Sequence, residues 1–158
     1  MTSCRKDKII PTSGTITINN ITSLGQTYYV YGFLFSQAKL VTTLNKPHPD
    51  ITIDTDGTNL FFQAENLLDS FYNAGEYSDA TSSKSAFDIL EVNENSVWTG
   101  LASPLKENQL WIYRTGTGCY AKLRIISLVS DVRDDRSYAE CTFEWVYQPD
   151  GSLTFPGE

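Results

Sequence analysis

Two stretches near the end of the chain decide the fold: CYAKLRI at residues 119–125 and AECTFEWVY at residues 139–147. In both stretches apolar and polar residues alternate, which is the pattern of a β-strand that buries one face. A charged segment, residues 131–136, separates them and is typical of a loop. The two stretches therefore predict an antiparallel hairpin with one face on the core and the other in water.

The predicted wet face carries charges of both signs. Lys122 and Arg124 belong to the first strand, and Glu140, Thr142 and Glu144 belong to the second. Opposite charges that face each other across two strands contribute roughly a few tenths of a kcal/mol. We expect these side chains to interact across the hairpin.

Two cysteines, Cys119 and Cys141, fall on the apolar face of the hairpin. A loop centred near residue 132 places neither of them directly opposite the other. We therefore expect two buried thiols that pack as small hydrophobic groups. A disulfide is the alternative if the protein folds in an oxidising compartment.

Most of the sequence upstream also indicates strands. Gly32 interrupts an apolar run at residues 28–35, which predicts a bulge or a close approach of two backbones at this glycine. The other predicted strands span residues 15–18, 39–43, 51–54, 60–62, 110–114 and 153–155.

The middle of the chain has a different pattern. Residues 65–73 place four large apolar side chains at helical spacing, and Gly75 follows where a glycine often ends a helix. Residues 78–83 are polar and indicate a loop, whereas residues 86–90 fit either a short helix or a strand. The four apolar side chains are Leu67, Leu68, Phe71 and Tyr72.

The composition agrees with one globular domain. The chain has 158 residues, of which 41% are hydrophobic and 20% are charged. This length and composition suit one domain with a core of its own. The fold class that we predict is mostly β, with antiparallel sheets in a sandwich-like arrangement and one or two short helices. Residues 1–12 are expected to form a lipid-anchor spacer, and residues 13–158 a single β-rich domain.

The charge of the chain excludes one class of partner. Twelve Lys and Arg against nineteen Asp and Glu give a formal net charge of −7. We expect no nucleic-acid partner, because binding to phosphates needs a basic surface. No apolar run in the sequence approaches the roughly 20 residues of a membrane-spanning helix.

The first residues indicate a lipid anchor. Thr2, Ser3 and Cys4 resemble the end of a bacterial lipoprotein signal peptide, in which two small residues precede the cysteine that carries the lipid. The interpretation makes Cys4 the site of lipid attachment and the charged residues after it a spacer; the alternative is a cysteine without a role. Stable anchoring takes more than one acyl chain.

A family resemblance lies in the C-terminal third. YRT at residues 113–115, YAKLRI at residues 120–125 and FEWVYQPDGS at residues 143–152 resemble the last strands of the HmuY-like lipoproteins of Bacteroidetes. The resemblance implies a mostly β lipoprotein of the outer membrane, facing the cell surface or the periplasm. Some members of that family bind haem through paired His or through Met on loops and pass it to an outer-membrane receptor.

The chain departs from the haem-binding pattern. Its single histidine, His48, lies in a loop between Pro47 and Pro49, and its only methionine is Met1. Two axial ligands of the usual type are therefore not available from one chain. Haem is a possible cofactor only if His48 acts with a Tyr; otherwise His48 is a plain loop residue.

The remaining candidates favour binding over catalysis. Tyr72, Tyr77 and Trp98 lie in the least regular region and form a candidate stacking surface for a sugar or a porphyrin, with simple packing as the alternative. Cys119 and Cys141 are on predicted core faces, and a nucleophilic cysteine needs a base beside it. We therefore expect no enzyme.

The function that we predict is non-catalytic binding of a ligand or a partner protein by a lipid-anchored protein of the outer membrane. One alternative is a haem-binding protein that uses His48 or other ligands. A second is a structural or accessory subunit of a surface complex for nutrient uptake.

Overall fold

The computed structural model describes residues 9–21 and 30–156. These residues contain ten strands and one α-helix. A single turn of 3-10 helix covers Phe35–Gln37. The strands are β1 (Ser13–Asn19), β2 (Tyr31–Leu34), β3 (Lys39–Thr42), β4 (Ile51–Thr55), β5 (Leu60–Ala64), β6 (Phe71–Glu76), β7 (Leu101–Ala102), β8 (Gln109–Arg114), β9 (Tyr120–Arg133) and β10 (Arg136–Gln148), and the helix is α1 (Ala80–Asp88).

The strands form two antiparallel sheets of five strands each. The first sheet has the order β1-β10-β9-β8-β6, and the second has the order β3-β2-β4-β5-β7. Aromatic side chains from both sheets meet between them: the ring of Phe143 in β10 lies 6.1 Å from Phe33 and 5.3 Å from Phe62, measured between centroids. The prediction of a mostly β fold with antiparallel sheets is confirmed.

The predicted hairpin is β9 and β10, and its loop is shorter than expected. The strands continue to Arg133 and resume at Arg136, so only Asp134 and Asp135 turn the chain. Both aspartates have a positive φ, of 50° and 61°. That conformation matches the two-residue turns whose twist suits antiparallel strands, and Asp tolerates it.

The register of the hairpin confirms one expected charge pair and the free cysteines. Arg124 lies opposite Glu144, and its Nε donates to Glu144 Oε2 at 2.8 Å. Cys141 lies opposite Leu128, and both Cys119 and Cys141 are free thiols. The expectation of two buried thiols is confirmed for Cys141, which is fully buried, and is wrong for Cys119, which is only half-buried.

The expectation that the outer face of the hairpin is in water is wrong at the end far from its turn. Helix α1 and the C-terminal residues cover this face, so that Lys122 is only 1% exposed. Its Nζ donates to the carbonyl oxygens of Phe87 at 2.7 Å and Asp88 at 3.3 Å, at the end of α1. The carbonyl end of a helix favours a cation, which offsets part of the cost of burial. Burial still lowers the pKa of Lys122 to about 8.

The predicted last strand, residues 153–155, is also wrong. This segment has no strand pairing; instead it lies on the outer face of the first sheet and buries Phe155. The Phe155 ring centroid is 5.2 Å from Lys122 Nζ. Phe155 thus helps to bury Lys122.

The predicted helix at residues 65–73 is wrong as well. Residues 65–70 form a loop, and β6 begins at Phe71. Phe71 packs in the core between the sheets, while Tyr72 packs in a second apolar cluster on the outer face. Neighbouring apolar residues fit a strand that is buried on both faces as well as they fit a helix. Gly75, with a φ of 151°, lies at a register shift within β6 and does not end a helix.

The helix begins in the segment that was expected to be a loop. Asp79 precedes the first helical residue, and its side chain accepts a hydrogen bond from the backbone N–H of Ser82 at 2.7 Å. This is the usual contact of an N-terminal cap. The polar residues 80–83 therefore form the first turn of α1 instead of a loop, and the ambiguous residues that follow are helical as far as Asp88.

Candidate functional site

Two of the predicted stacking residues come together on the outer face of the first sheet. Tyr72 is on β6, and Trp98 is in the long connection between α1 and β7. Their ring centroids are 4.8 Å apart with the planes at 86°, an edge-to-face contact. Tyr120, at the start of β9, lies 6.3 Å from Trp98. Pairs of this geometry are favourable beyond the area they bury.

Arg114 fixes one face of the Trp98 ring. Its guanidinium carbon lies 4.1 Å from the ring centroid, at the end of β8. The Nε and Nη2 groups donate to the backbone carbonyl of Asp69 at 3.1 Å and 2.9 Å, which holds the guanidinium plane in place. Stacking of a cation on tryptophan adds to the rigidity of the indole.

The connection that carries Trp98 is tied to the sheet through Tyr72. The hydroxyl oxygen of Tyr72 accepts a hydrogen bond from the backbone N–H of Asn93 at 2.8 Å. Burial raises the pKa of this phenol, so the group stays neutral. The Tyr72 hydroxyl is therefore structural, and only the ring of Tyr72 is available for contact with a ligand.

A shallow cleft of about 430 Å³ opens beside Tyr72, which lines it, whereas Trp98 packs behind Tyr72 and does not line the cleft. One wall is Val97, whose surface is 83% exposed. None of the lining side chains carries a charge, and most carry a hydroxyl, an amide or an aromatic ring. The lining residues are Tyr72, Asn73, Ser96, Val97, Thr99, Ser103 and Trp111.

The other predicted site residues do not join this cleft. Tyr77 is half-buried just after β6, and its ring packs against Gly75. A Cβ added to Gly75 would lie 2.9 Å from Cε2 of this ring. His48 is exposed in the loop between β3 and β4, which belongs to the second sheet. Cys4 lies outside the described residues.

Within residues 9–21 and 30–156, no three His, Cys, Asp or Glu side chains are grouped so as to hold a metal ion. The thiol of Cys141 is buried, which raises its pKa. Cys119 Sγ donates to the carbonyl oxygen of Pro149 at 3.3 Å. Among the helices of the described residues, none is long and apolar enough to cross a membrane.

No sequence pattern indicates the polar side of the cleft. Asn73, Ser96, Thr99 and Ser103 are ordinary loop and strand residues in the sequence, and only the pairing of β6 with β8 and of Phe71 with Thr99 brings them together. Arg114 belongs to the YRT motif at residues 113–115, but its stacking on Trp98 depends on a contact between distant segments.

No family model, curated protein or solved structure matches the chain. The likeness of its last strands to the HmuY-like lipoproteins stays a prediction.

Proposed function

We propose that the protein is a non-catalytic binding protein, anchored in a bacterial outer membrane by a lipid on Cys4, and that the cleft beside Tyr72 holds its ligand. The observation that carries the proposal is the rigid aromatic pair of Tyr72 and Trp98 next to a neutral, hydroxyl-rich cleft. Binding sites combine apolar or aromatic walls with a few polar groups that orient the ligand.

The chemistry of the cleft favours a neutral, hydroxyl-bearing ligand, and we propose an oligosaccharide. Ser96 and Ser103 offer hydroxyl groups without charge, which suits sugar hydroxyls. Asn73 already donates to Glu76 and accepts from a backbone N–H, so one N–H and one lone pair of its amide are left for a ligand. The cleft is shallow, so an elongated ligand can lie along it. Haem fits less well, because its iron needs an axial ligand and His48 belongs to the other sheet.

Val97→Asp is expected to weaken oligosaccharide binding at least tenfold, or by about 1.4 kcal/mol, because it places an unpaired charge on the apolar wall of the cleft. Val97 is exposed, so its replacement leaves the core intact. The measurement is binding of the purified protein to an array of neutral oligosaccharides, followed by calorimetric titration with the best one.

Val132→Asp is the matched control, because Val132 is 69% exposed and lies at the tip of the β9–β10 hairpin. We expect it to bind like the wild type. Absence of any bound oligosaccharide, or equal binding by Val97→Asp, contradicts the proposed ligand. A haemin titration run alongside tests the alternative, which a Soret shift lost in His48→Ala would favour.

Cys4→Ser is expected to abolish lipid attachment. Cells that express the protein from its native gene are grown with a palmitate analogue, and the protein is then recovered and its label measured. Cys119→Ser is the control, because Cys119 is half-buried within the folded domain and is expected to leave the label unchanged. A wild type without label rejects the anchor but leaves the sugar-binding proposal untouched.

A further inference from the structure

Three of the four sheet edges are protected against pairing with another strand. The edge strand β6 has a register shift between Asn73 and Gly75, and Phe71 is bridged to Thr99 on its outer side. In the second sheet, β7 has only two residues, and β3 is a four-residue strand that begins with Lys39. Short strands, irregularities, covering segments and lysines are the usual means of blocking an edge.

In the part of the chain that the structure describes, the fourth edge, β1, has none of these features. It is seven residues long, reads SGTITIN, and contains neither a charge nor a proline. Its register with β10 is continuous from Ser13, opposite Val146, to Asn19, opposite Glu140. A regular, uncharged edge of this length offers a template for another strand.

The hydrogen-bond pattern shows which groups of β1 point outward. Asn20 N–H donates to the Ala139 carbonyl at 3.1 Å, and Tyr147 N–H donates to the Thr12 carbonyl at 2.7 Å. Even-numbered residues therefore bond to β10, because antiparallel pairs alternate. The N–H and C=O groups of the odd residues face away from β10. Those residues are Ser13, Thr15, Thr17 and Asn19.

No strand of the described residues pairs with this outer side of β1. The side chains of Thr15 and Thr17 are exposed. Four residues thus present a row of backbone donors and acceptors that no strand of residues 9–21 and 30–156 satisfies, so water or a strand from another molecule can pair with them.

We propose that β1 pairs with β1 of a second copy of this chain, antiparallel about a twofold axis at Ile16. In this register Thr15 of one copy faces Thr17 of the other, and Ser13 faces Asn19. The twofold axis generates each of these two pairs twice, and each of the four resulting pairs exchanges two backbone hydrogen bonds, which gives about eight bonds in all. The two first sheets then join into one continuous sheet across the axis.

A second copy fits this edge for two reasons. The row of outward groups is self-complementary, as a twofold interface requires. The strand is also neutral, so a chain with a net charge of −7 meets its copy along a strip that carries no charge of its own. Threonines that face each other across the axis add favourable side-chain contacts.

The test is the mass of the full chain in solution, measured by sedimentation at concentrations up to about 1 mM, since a narrow interface of this kind binds weakly. The wild type is expected to dimerise. The double substitution Thr15→Lys with Thr17→Lys places lysines opposite each other across the axis and is expected to raise the dimer dissociation constant at least tenfold. Both side chains are exposed, and the substitution removes one surface hydrogen bond, between the hydroxyls of Thr17 and Thr142, so we expect the fold to be kept.

Two further samples make the result specific. Thr81→Lys with Ser85→Lys adds the same charge at exposed positions on α1 and is expected to leave the dimer intact. Thr15→Glu with Thr17→Glu is expected to dissociate alone and to pair again when mixed with the lysine variant. Glu144, opposite position 15, is already bonded to Lys84 and Arg124, which limits repulsion within the chain.

A wild type that stays monomeric over the whole range overturns the proposal, even if it binds a strand of some other protein. A dimer that the lysine variant leaves unchanged, or a mixture of the two charged variants that fails to pair, overturns it as well. None of these outcomes bears on sugar binding, because the cleft beside Tyr72 lies next to β6, at the other edge of the first sheet.

Discussion

Gly32→Ala is expected to lower the free energy of unfolding by about 3 kcal/mol, the upper range for overpacking a buried site. A Cβ at this position would lie 2.3 Å from the carbonyl oxygen of Ile51 and 2.6 Å from Pro49 Cβ. One of the two atoms belongs to the backbone of β4 and the other to a buried proline. Neither atom can move aside as the end of a flexible side chain can. Relief requires that β2 and β4 separate.

Urea unfolding followed by tryptophan fluorescence measures this change. Gly14→Ala is the matched control, because Gly14 is also in a strand and its Cβ would lie 3.4 Å from the side chain of Trp145. That distance is ordinary contact, and we expect a change within about 0.5 kcal/mol. Equal stability of Gly32→Ala and the wild type would show that the two strands have room to separate.

Gly32 also shows how far the sequence predicts this fold. A glycine within an apolar run predicted a bulge or a close backbone approach, and the structure resolves the choice in favour of close approach. The alternation in residues 119–125 and 139–147 predicts the hairpin, because an apolar residue at every second position is typical of a half-buried strand and not of a helix. Local pattern was sufficient wherever one face of a strand is buried and the other is polar.

Local pattern failed where a third layer covers the sheet. Lys122 alternates with apolar residues as a solvent-facing residue does, yet helix α1 lies over it. Phe71 and Tyr72 are both buried, on opposite faces of β6, and this matches helical spacing equally well. The position of α1 depends on contacts between distant segments, which a periodicity within one segment does not contain.

The candidate site was predictable in its aromatic part only. Tyr72 and Trp98 were singled out by residue type and by their irregular surroundings, and the structure brings them together. Tyr77 and His48 had the same kind of support and lie elsewhere. Tyr72 and Trp98 meet because of the pairing of β6 with β8 and the path of the connection after α1. The sequence does not specify either of these.

Asp50→Asn is expected to stabilise the protein at neutral and alkaline pH. Asp50 Oδ2 accepts a hydrogen bond from the Phe35 N–H at 2.9 Å, and the Tyr113 hydroxyl lies 3.4 Å from its Oδ1. Burial raises the pKa of this carboxyl from 3.8 to about 6, in spite of these two contacts. Burial and the nearby Asp50 charge likewise raise the pKa of Tyr113.

The direction of the effect follows from which state binds the proton. Between pH 3.8 and about 6 the folded state holds a proton that the unfolded state has released, so stability falls as the pH rises through this window. The difference of about two pKa units corresponds to roughly 3 kcal/mol, and the loss is complete above the folded pKa. Asparagine stays neutral, accepts from Phe35 and donates to the Tyr113 oxygen.

Urea unfolding of Asp50→Asn and of the wild type at a series of pH values isolates this carboxyl, because the other titrating groups are common to both proteins. We expect equal stability near pH 4 and a variant that is more stable by roughly 3 kcal/mol at pH 8. Asp56→Asn is a control of opposite sign: hydrogen bonds from the backbone N–H groups of Asn59 and Thr58 lower the pKa of Asp56. That variant is expected to be the less stable one at pH 8, with the gap closing as the pH falls. A difference between Asp50→Asn and the wild type that does not change with pH would mean that the carboxyl keeps its ordinary pKa, because water then reaches it between the two sheets.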